Sequence, residues 1–179
     1  MHGVVVYFRR EFKDIRCYVK KLEKLVRAVL SRANLSRAKS RESRGCSRFG
    51  LANVTVSIAI VADSRIRKLN NRFLKRKTVT DCLSFDLSEH KGARRWFELI
   101  VNGQKAKREA AMRGHSPQAE LALYITHGLL HNLGFNDLLP AQAQKMHRLE
   151  NEILQQQGFG PVYDKKKKLR WINGLKNAD

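Results

Sequence analysis

Ser116-Pro117-Gln118-Ala119-Glu120-Leu121-Ala122-Leu123-Tyr124-Ile125-Thr126-His127-Gly128-Leu129-Leu130-His131-Asn132-Leu133-Gly134 reads as one helix, the most apolar in the chain. The Ser116 hydroxyl can accept from an unpaired backbone N–H at the helix start. Pro117 at the first helical position gives up only an N–H that has no partner there. Leu121, Leu123, Tyr124, Ile125, Leu129, Leu130 and Leu133 cover so much of the surface that the helix belongs at the centre of the fold. Gly134 supplies a residue on which the helix can end in the left-handed conformation. His127 and His131 stand one turn apart on a single face of it.

The surrounding segments alternate between strand and helix patterns. Upstream, Val54, Val56, Ile58 and Ile60 alternate with Thr55, Ser57 and Ala59, the clearest strand in the chain. Asp63 is expected to cap a helix running to about Phe73. Val79 to Phe85 reads as a second core strand, and Phe97, Leu99 and Val101 as another. A short helix is expected from Lys105 to Met112. Nearer the N-terminus, Val4 to Phe8 is β-prone. Ile15, Val19, Leu22, Val26 and Val29 then recur at steps of three and four, the stripe of an amphipathic helix from about Asp14 to Ser31. From 33 to 50 the pattern gives way to Ser, Arg, Lys and Gly, which predicts a basic flexible loop. After Pro140, the residues Met146, Leu149, Ile153 and Leu154 mark a last helix closed by Gly158. The expectation is a single α/β (α+β) domain over 1–160, followed by a basic tail at 161–179 that holds Lys165 to Lys168.

Thirty-six Lys and Arg stand against sixteen Asp and Glu, a formal charge of +20. Solubility needs far less, so a polyanionic partner is expected. Nucleic acid fits that better than an acidic membrane surface. Cys17, Cys46 and Cys82 are odd in number and lack C-x-x-C spacing, which argues against a disulfide framework and for a reducing compartment. No stretch is apolar for long enough to be a signal peptide or to span a bilayer. Glu11 and Asp14 sit poorly in an organellar presequence. A cytoplasmic location, with no membrane partner, is expected.

The imidazoles of His127 and His131 can converge on one ion, and Asp137, just past the Gly134 bend, can return a carboxylate as third ligand. Two nitrogens and one oxygen suit zinc and leave a fourth position open, as in catalytic sites. The alternative is a metal-free core pair, but two histidines on so apolar a helix are costly without partners. Residue 128 is Gly, so the H-E-x-x-H motif is absent, and with it the base that peptide hydrolysis by that route requires. A phosphodiester is a different substrate, whose developing charge cationic side chains can carry.

Thr126-His127-Gly128-Leu129-Leu130-His131-Asn132-Leu133-Gly134-Phe135-Asn136-Asp137 resembles the H-G-x-L-H-L-x-G-[YF]-D-H signature of the YbeY family of ribosomal RNA maturation endoribonucleases. Leu69-Asn70 and Thr80-Asp81-Cys82-Leu83-Ser84-Phe85 look like its L-N…P-T-D-V-L-S-F segment. Glu98-Leu99-Ile100-Val101 is similar to its G-D-I-x-I strand, and Ser116 with Glu120-Leu121 to the entry of its metal helix. Each piece alone is weak, but the ordered set, from about Val54 to Gly158, is specific.

The resemblance implies a small mixed β-sheet flanked by helices, with the metal at the end of a central helix. It also implies one zinc ion per chain on His127, His131 and Asp137, and single-strand-directed cleavage in rRNA maturation and ribosome quality control. A ribosomal subunit is then a partner, and no nucleotide cofactor is expected. The nucleophile is either the metal-bound water or a ribose 2′-hydroxyl, and no side chain is assigned the role. Arg72, Lys75 and Arg76 are expected to grip RNA phosphates.

Four positions depart from the family pattern. Asp137 stands where the third ligand is usually His, Asn136 where an Asp is usual, Leu74 where an Arg is usual, and Val79 where a Pro is usual. They keep open a non-catalytic RNA-binding assembly factor and, against the grain of Gly128 and the charge, a zinc hydrolase of another substrate. Of the remaining histidines only His147, on the last helix, is a candidate to approach the site, as a partner to the ligands and not as one of them. Packing roles are expected for Trp96 and Trp171.

Overall fold

The computed structural model describes residues 3–10, 18–39, 53–89, 94–160 and 162. In order these form β1 (Gly3–Arg10), α1 (Val19–Lys39), β2 (Asn53–Val61), α2 (Asp63–Leu74), β3 (Cys82–Asp86), β4 (Arg95–Asn102), α3 (Gly103–Arg113), α4 (Pro117–Asn132) and α5 (Pro140–Gln156). The sheet is mixed, in the order β1-β2-β4-β3. β1, β2 and β4 run parallel, and β3 is antiparallel to β4, with Leu83 opposite Ile100. This is the single α/β domain with a small mixed sheet flanked by helices that the sequence implied. Among the described residues no helix is long and apolar enough to cross a membrane.

Strand alternation divides the hydrophobic residues between two clusters. Val54, Val56, Ile58 and Ile60 of β2, with Phe97, Leu99 and Val101 of β4, point to the face covered by α1, α4 and α5. The opposite face carries a smaller cluster of Val61, Leu83 and Ile100, roofed by Ile66 of α2. α4 is the central helix, buried from Ala119 to Thr126 and again from Gly128 to Leu130. Ser116 accepts the expected capping bond from the Ala119 N–H at 3.1 Å. At the other end Gly134 has φ 84°. There Phe135 N–H donates to Leu130 O at 2.9 Å and Gly134 N–H to His131 O at 2.8 Å. This Schellman closure turns the chain back toward the helix it has just left.

Several expectations are corrected. The loop expected to begin at 33 begins later, because α1 continues to Lys39. Ala33 is fully buried on the same stripe as Leu30, and no Gly or Pro interrupts the turn and a half beyond it. The helix start expected at Asp14, the rest of the loop and the tail at 163–179, with Trp171, lie outside the described residues. Asp63 is not the cap of α2: Ala62 holds that position without a side-chain bond. The Asp63 carboxylate instead accepts from Asn102 at 2.7 Å and from Arg108 at 2.7 Å, tying α2 to α3. β3 is shorter than expected and is an edge strand on which only Leu83 is buried. Trp96 does not pack into the core; at 52% exposure it stands on the sheet face that α2 leaves open.

Gly128 fixes how closely α4 can approach the sheet. A Cβ there would fall 2.7 Å from Cys82 Sγ and 2.8 Å from Leu99 Cδ2. Alanine favours helix by about 1 kcal/mol over glycine, yet forcing a methyl into a filled core typically costs about 1–3 kcal/mol. Gly128→Ala is therefore expected to lower the denaturant midpoint. Adding Cys82→Ala, which shrinks one of the two obstacles, should recover part of the loss. A Gly128→Ala chain more stable than the parent would show that α4 can shift to make room.

Candidate metal centre

His127 and His131 lie in the last two turns of α4 with their Nε2 atoms 3.1 Å apart. Asp137, brought back by the Gly134 bend, places Oδ1 3.7 Å from His131 Nε2 and Oδ2 3.9 Å from His127 Nε2. One ligand atom from each lies within 4.8 Å of the others. All three sequence-predicted ligands are thus gathered at the end of the central helix.

The second nitrogen of each ring is already engaged. His127 Nδ1 meets Glu150 Oε1 at 2.8 Å, and His131 Nδ1 meets the Phe135 carbonyl at 3.2 Å. Both acceptors require a proton on Nδ1, which leaves each Nε2 as a lone pair facing the other. Two lone pairs at 3.1 Å repel unless a proton or a cation lies between them. Tetrahedral zinc with nitrogens at about 2.0–2.1 Å would separate them by roughly 3.3 Å. The donor set therefore fits a divalent ion, with Asp137 a few tenths of an ångström outside ligand spacing.

The charges agree with this. Burial alone would depress His127, but its hydrogen bond to Glu150 and the charges of Glu150, Asp81 and Asp137 hold it above the ordinary imidazole range. Burial and the neighbouring His127 charge push His131 below it. Without an ion, His127 carries the shared proton and His131 accepts it. A metal must displace that proton, so affinity should rise with pH. Because His127 is raised, the rise should continue well past pH 6.5, the midpoint at which an unperturbed imidazole is already half neutral. While one proton is released per ion the slope approaches about tenfold per pH unit. Competition with a chelator at several pH values measures it; a plateau reached by pH 6.5 would contradict the raised His127.

Glu150 of α5 is the residue that sequence reasoning missed. It is 1% exposed, and its other oxygen takes His147 Nδ1 at 2.8 Å. His147 thus approaches the site through Glu150, behind the ligands, which is the role the sequence left open for it. The available signal was position: Glu150 falls on the stripe of Met146, Leu149, Ile153 and Leu154, where a carboxylate is out of place. Asp81 was also overlooked. Burial opposes its charge, but Lys105 and hydrogen bonds from Thr80 and the Cys82 N–H keep it ionised near His127. Burial raises the Cys82 thiol far from thiolate formation, so it offers no nucleophile. His115 pairs with Glu120 at the start of α4 instead.

Arg72, Lys75 and Arg76 are exposed at the end of α2, where Lys75 takes the left-handed φ of 57°. The chain runs from them through Thr78, whose carbonyl is held by Asn70 at 2.8 Å, to Asp81 beside His127. α2, at whose end they stand, packs on the sheet face opposite the one that carries α4 and its histidines. Leu74 lies among them with 51% exposure.

A family model described as Endoribonuclease YbeY matches residues 8–158. The chain belongs to the YbeY endoribonuclease family. A YbeY relative from Anaeromyxobacter sp. (strain Fw109-5) is 35% identical over 129 residues, covering 72% of this chain and 67% of that one. Another, from Myxococcus xanthus (strain DK1622), is 35% identical over 113 residues, 61% of this chain and 38% of the relative. The match thus spans two thirds of the first YbeY relative and little more than a third of the second. The solution structure of a Thermotoga maritima protein shares the fold, with TM-score 0.53 and 19% identity, covering 85% of this chain and 91% of that one.

Proposed function

We propose that this chain is a metal-dependent endoribonuclease directed at single-stranded RNA, with zinc as its ion and a cytoplasmic role in rRNA maturation and ribosome quality control. Residues 1–160 form the catalytic domain, 161–179 a basic tail, and a ribosomal subunit is the partner. The observation that carries this is the convergence of two Nε2 atoms, 3.1 Å apart, on one carboxylate. When bound, a divalent ion supplies Lewis acidity for phosphodiester cleavage. Glu150 and the Phe135 carbonyl hold the two rings in the tautomer that presents the Nε2 lone pairs. Arg72, Lys75 and Arg76, all exposed, bind backbone phosphates, and the +20 charge supports RNA as the polyanion. The single-strand preference and the ribosomal setting rest on the family resemblance.

One observation favours a second reading, a non-catalytic RNA-binding assembly factor: half-exposed Leu74 occupies the position where the family pattern has an arginine. The test uses labelled single-stranded and duplex RNA with the full chain, before and after chelator, and then with zinc restored. Cleavage of the single strand that is lost with chelator and returns with zinc is expected. Salt-sensitive binding without cleavage would favour the assembly factor, and cleavage indifferent to chelator would remove the metal mechanism.

A further inference from the structure

On the sheet face away from the metal, α2 covers β3 and β4 only in part and leaves a cavity of about 470 Å³. Phe73 of α2 and Phe85 of β3 form one wall, edge to face at 5.2 Å, with Leu69 beside them. Arg9 of β1, Arg65 of α2 and Glu98 of β4 line the same space. Glu98 is half-buried directly opposite Phe85 in the β3–β4 pairing. Among the described residues none of these three charged side chains is joined to another by an ion pair. Two guanidiniums and a carboxylate therefore share an aromatic-walled cavity without neutralising one another, which leaves both donors and acceptors for an incoming molecule.

We infer that this cavity takes one unpaired guanine nucleotide of single-stranded RNA. Resting on the RNA-cleavage reading for its ligand class, the inference adds a second contact point and a base preference. A flat base can lie against one of the two phenyl rings, as bases do on aromatic side chains in single-strand binders. The Glu98 carboxylate is acceptor-only and has two oxygens. Guanine alone among the four bases offers it two adjacent N–H donors on its Watson–Crick edge. Adenine and cytosine offer a single amino group, and the uracil imide N–H lies between two carbonyls that repel the carboxylate. Arg9 and Arg65 supply the planar forks that suit a flanking phosphate.

The position also fits a strand that reaches the metal. Among the described residues β3 is the edge strand of the sheet. Its Phe85 ring faces the cavity, while the Phe85 carbonyl accepts from Asn132 Nδ2 at 3.3 Å, one residue from the ligand His131. RNA crossing the β3 edge would meet the cavity on one side and the metal ligands on the other.

The experiment measures binding by the full chain with chelator present, so that cleavage plays no part. Fluorescence anisotropy compares hexauridylate with the same oligomer carrying one central guanine. The guanine oligomer should bind at least about fivefold tighter, the lower end of what a two-bond base contact contributes. Glu98→Gln, which keeps the volume and removes the charge, should bring the two within about twofold. Arg65→Ala should weaken both alike and reduce the salt slope by about one. Equal binding of the two oligomers by the unaltered chain, or a preference that survives Glu98→Gln, would leave the cavity to a protein segment and overturn the inference. Those outcomes leave the cleavage reading standing; no binding of either oligomer at low salt would overturn both.

Discussion

His131→Ala is expected to lose both metal binding and RNA cleavage while the fold stays intact. His131 is 31% exposed, and its ring contacts His127 Nε2 and the Phe135 carbonyl rather than the core. Truncation leaves no internal cavity, so the metal-free chain should change by less than about 1 kcal/mol. Without it, two donors remain for an ion that needs at least three protein ligands in a catalytic zinc site. Loss of a residue that only orients a ligand typically costs 10–100-fold in affinity, so loss of a ligand should exceed about a hundredfold. An ion bound to the parent at a hundred times its dissociation constant adds about 2.7 kcal/mol of stability. A zinc-dependent rise in melting temperature, present in the parent and absent from His131→Ala, is thus a readout independent of activity. A variant that keeps the thermal shift, or that still cleaves RNA in chelator, would place the chemistry elsewhere.

The parts of the fold legible in the sequence are those specified by neighbouring residues. α4 could be read because its cap, its proline and its closing glycine all lie within its own stretch, and each behaves as expected. Asp137 could be joined to the histidines for the same reason: only five residues, one of them the glycine of the bend, separate it from His131. What escaped depends on partners distant in sequence. The extension of α1 to Lys39 is tertiary, since Ala33 is held by core packing where the local pattern has already faded. Asp63 has the composition of a cap, but Arg108 and Asn102, some forty residues on, compete for its carboxylate. The edge position of β3 follows from the strand order, which no single strand encodes. Trp96 is exposed because α2 is too short to cover that end of the sheet, a fact about another element altogether.

Glu150 is the sharpest case of a residue whose role depends on the fold, and its replacement should be the most damaging to stability. Burial drives its carboxyl pKa up, but hydrogen bonds and charges from His127 and His147 more than reverse this and hold it below the usual carboxylate range. With a depressed folded-state pKa, the stability it contributes is fully present above the unfolded value of 4.5 and is lost as pH falls through the folded value. Glu150→Ala strands two imidazole N–H groups in a buried place, and breaking a buried charged pair from one side typically costs about 3–5 kcal/mol. Glu150→Gln separates packing from charge. The amide fills the same volume, and its oxygen can still accept from one ring. Its NH₂ then faces the nitrogen of the other, which must change tautomer. The glutamine chain should therefore fold with a smaller loss than the alanine chain, yet bind metal about 10–100-fold more weakly, because the neutral amide holds the His127 Nδ1–H less firmly than the carboxylate and, with its NH₂ turned to that ring, favours the wrong tautomer. Denaturant midpoints, metal competition and nitrogen NMR of the His127 ring together read the stability, the affinity and the tautomer. A glutamine variant with undiminished metal affinity and an unchanged tautomer would reduce Glu150 to filling space.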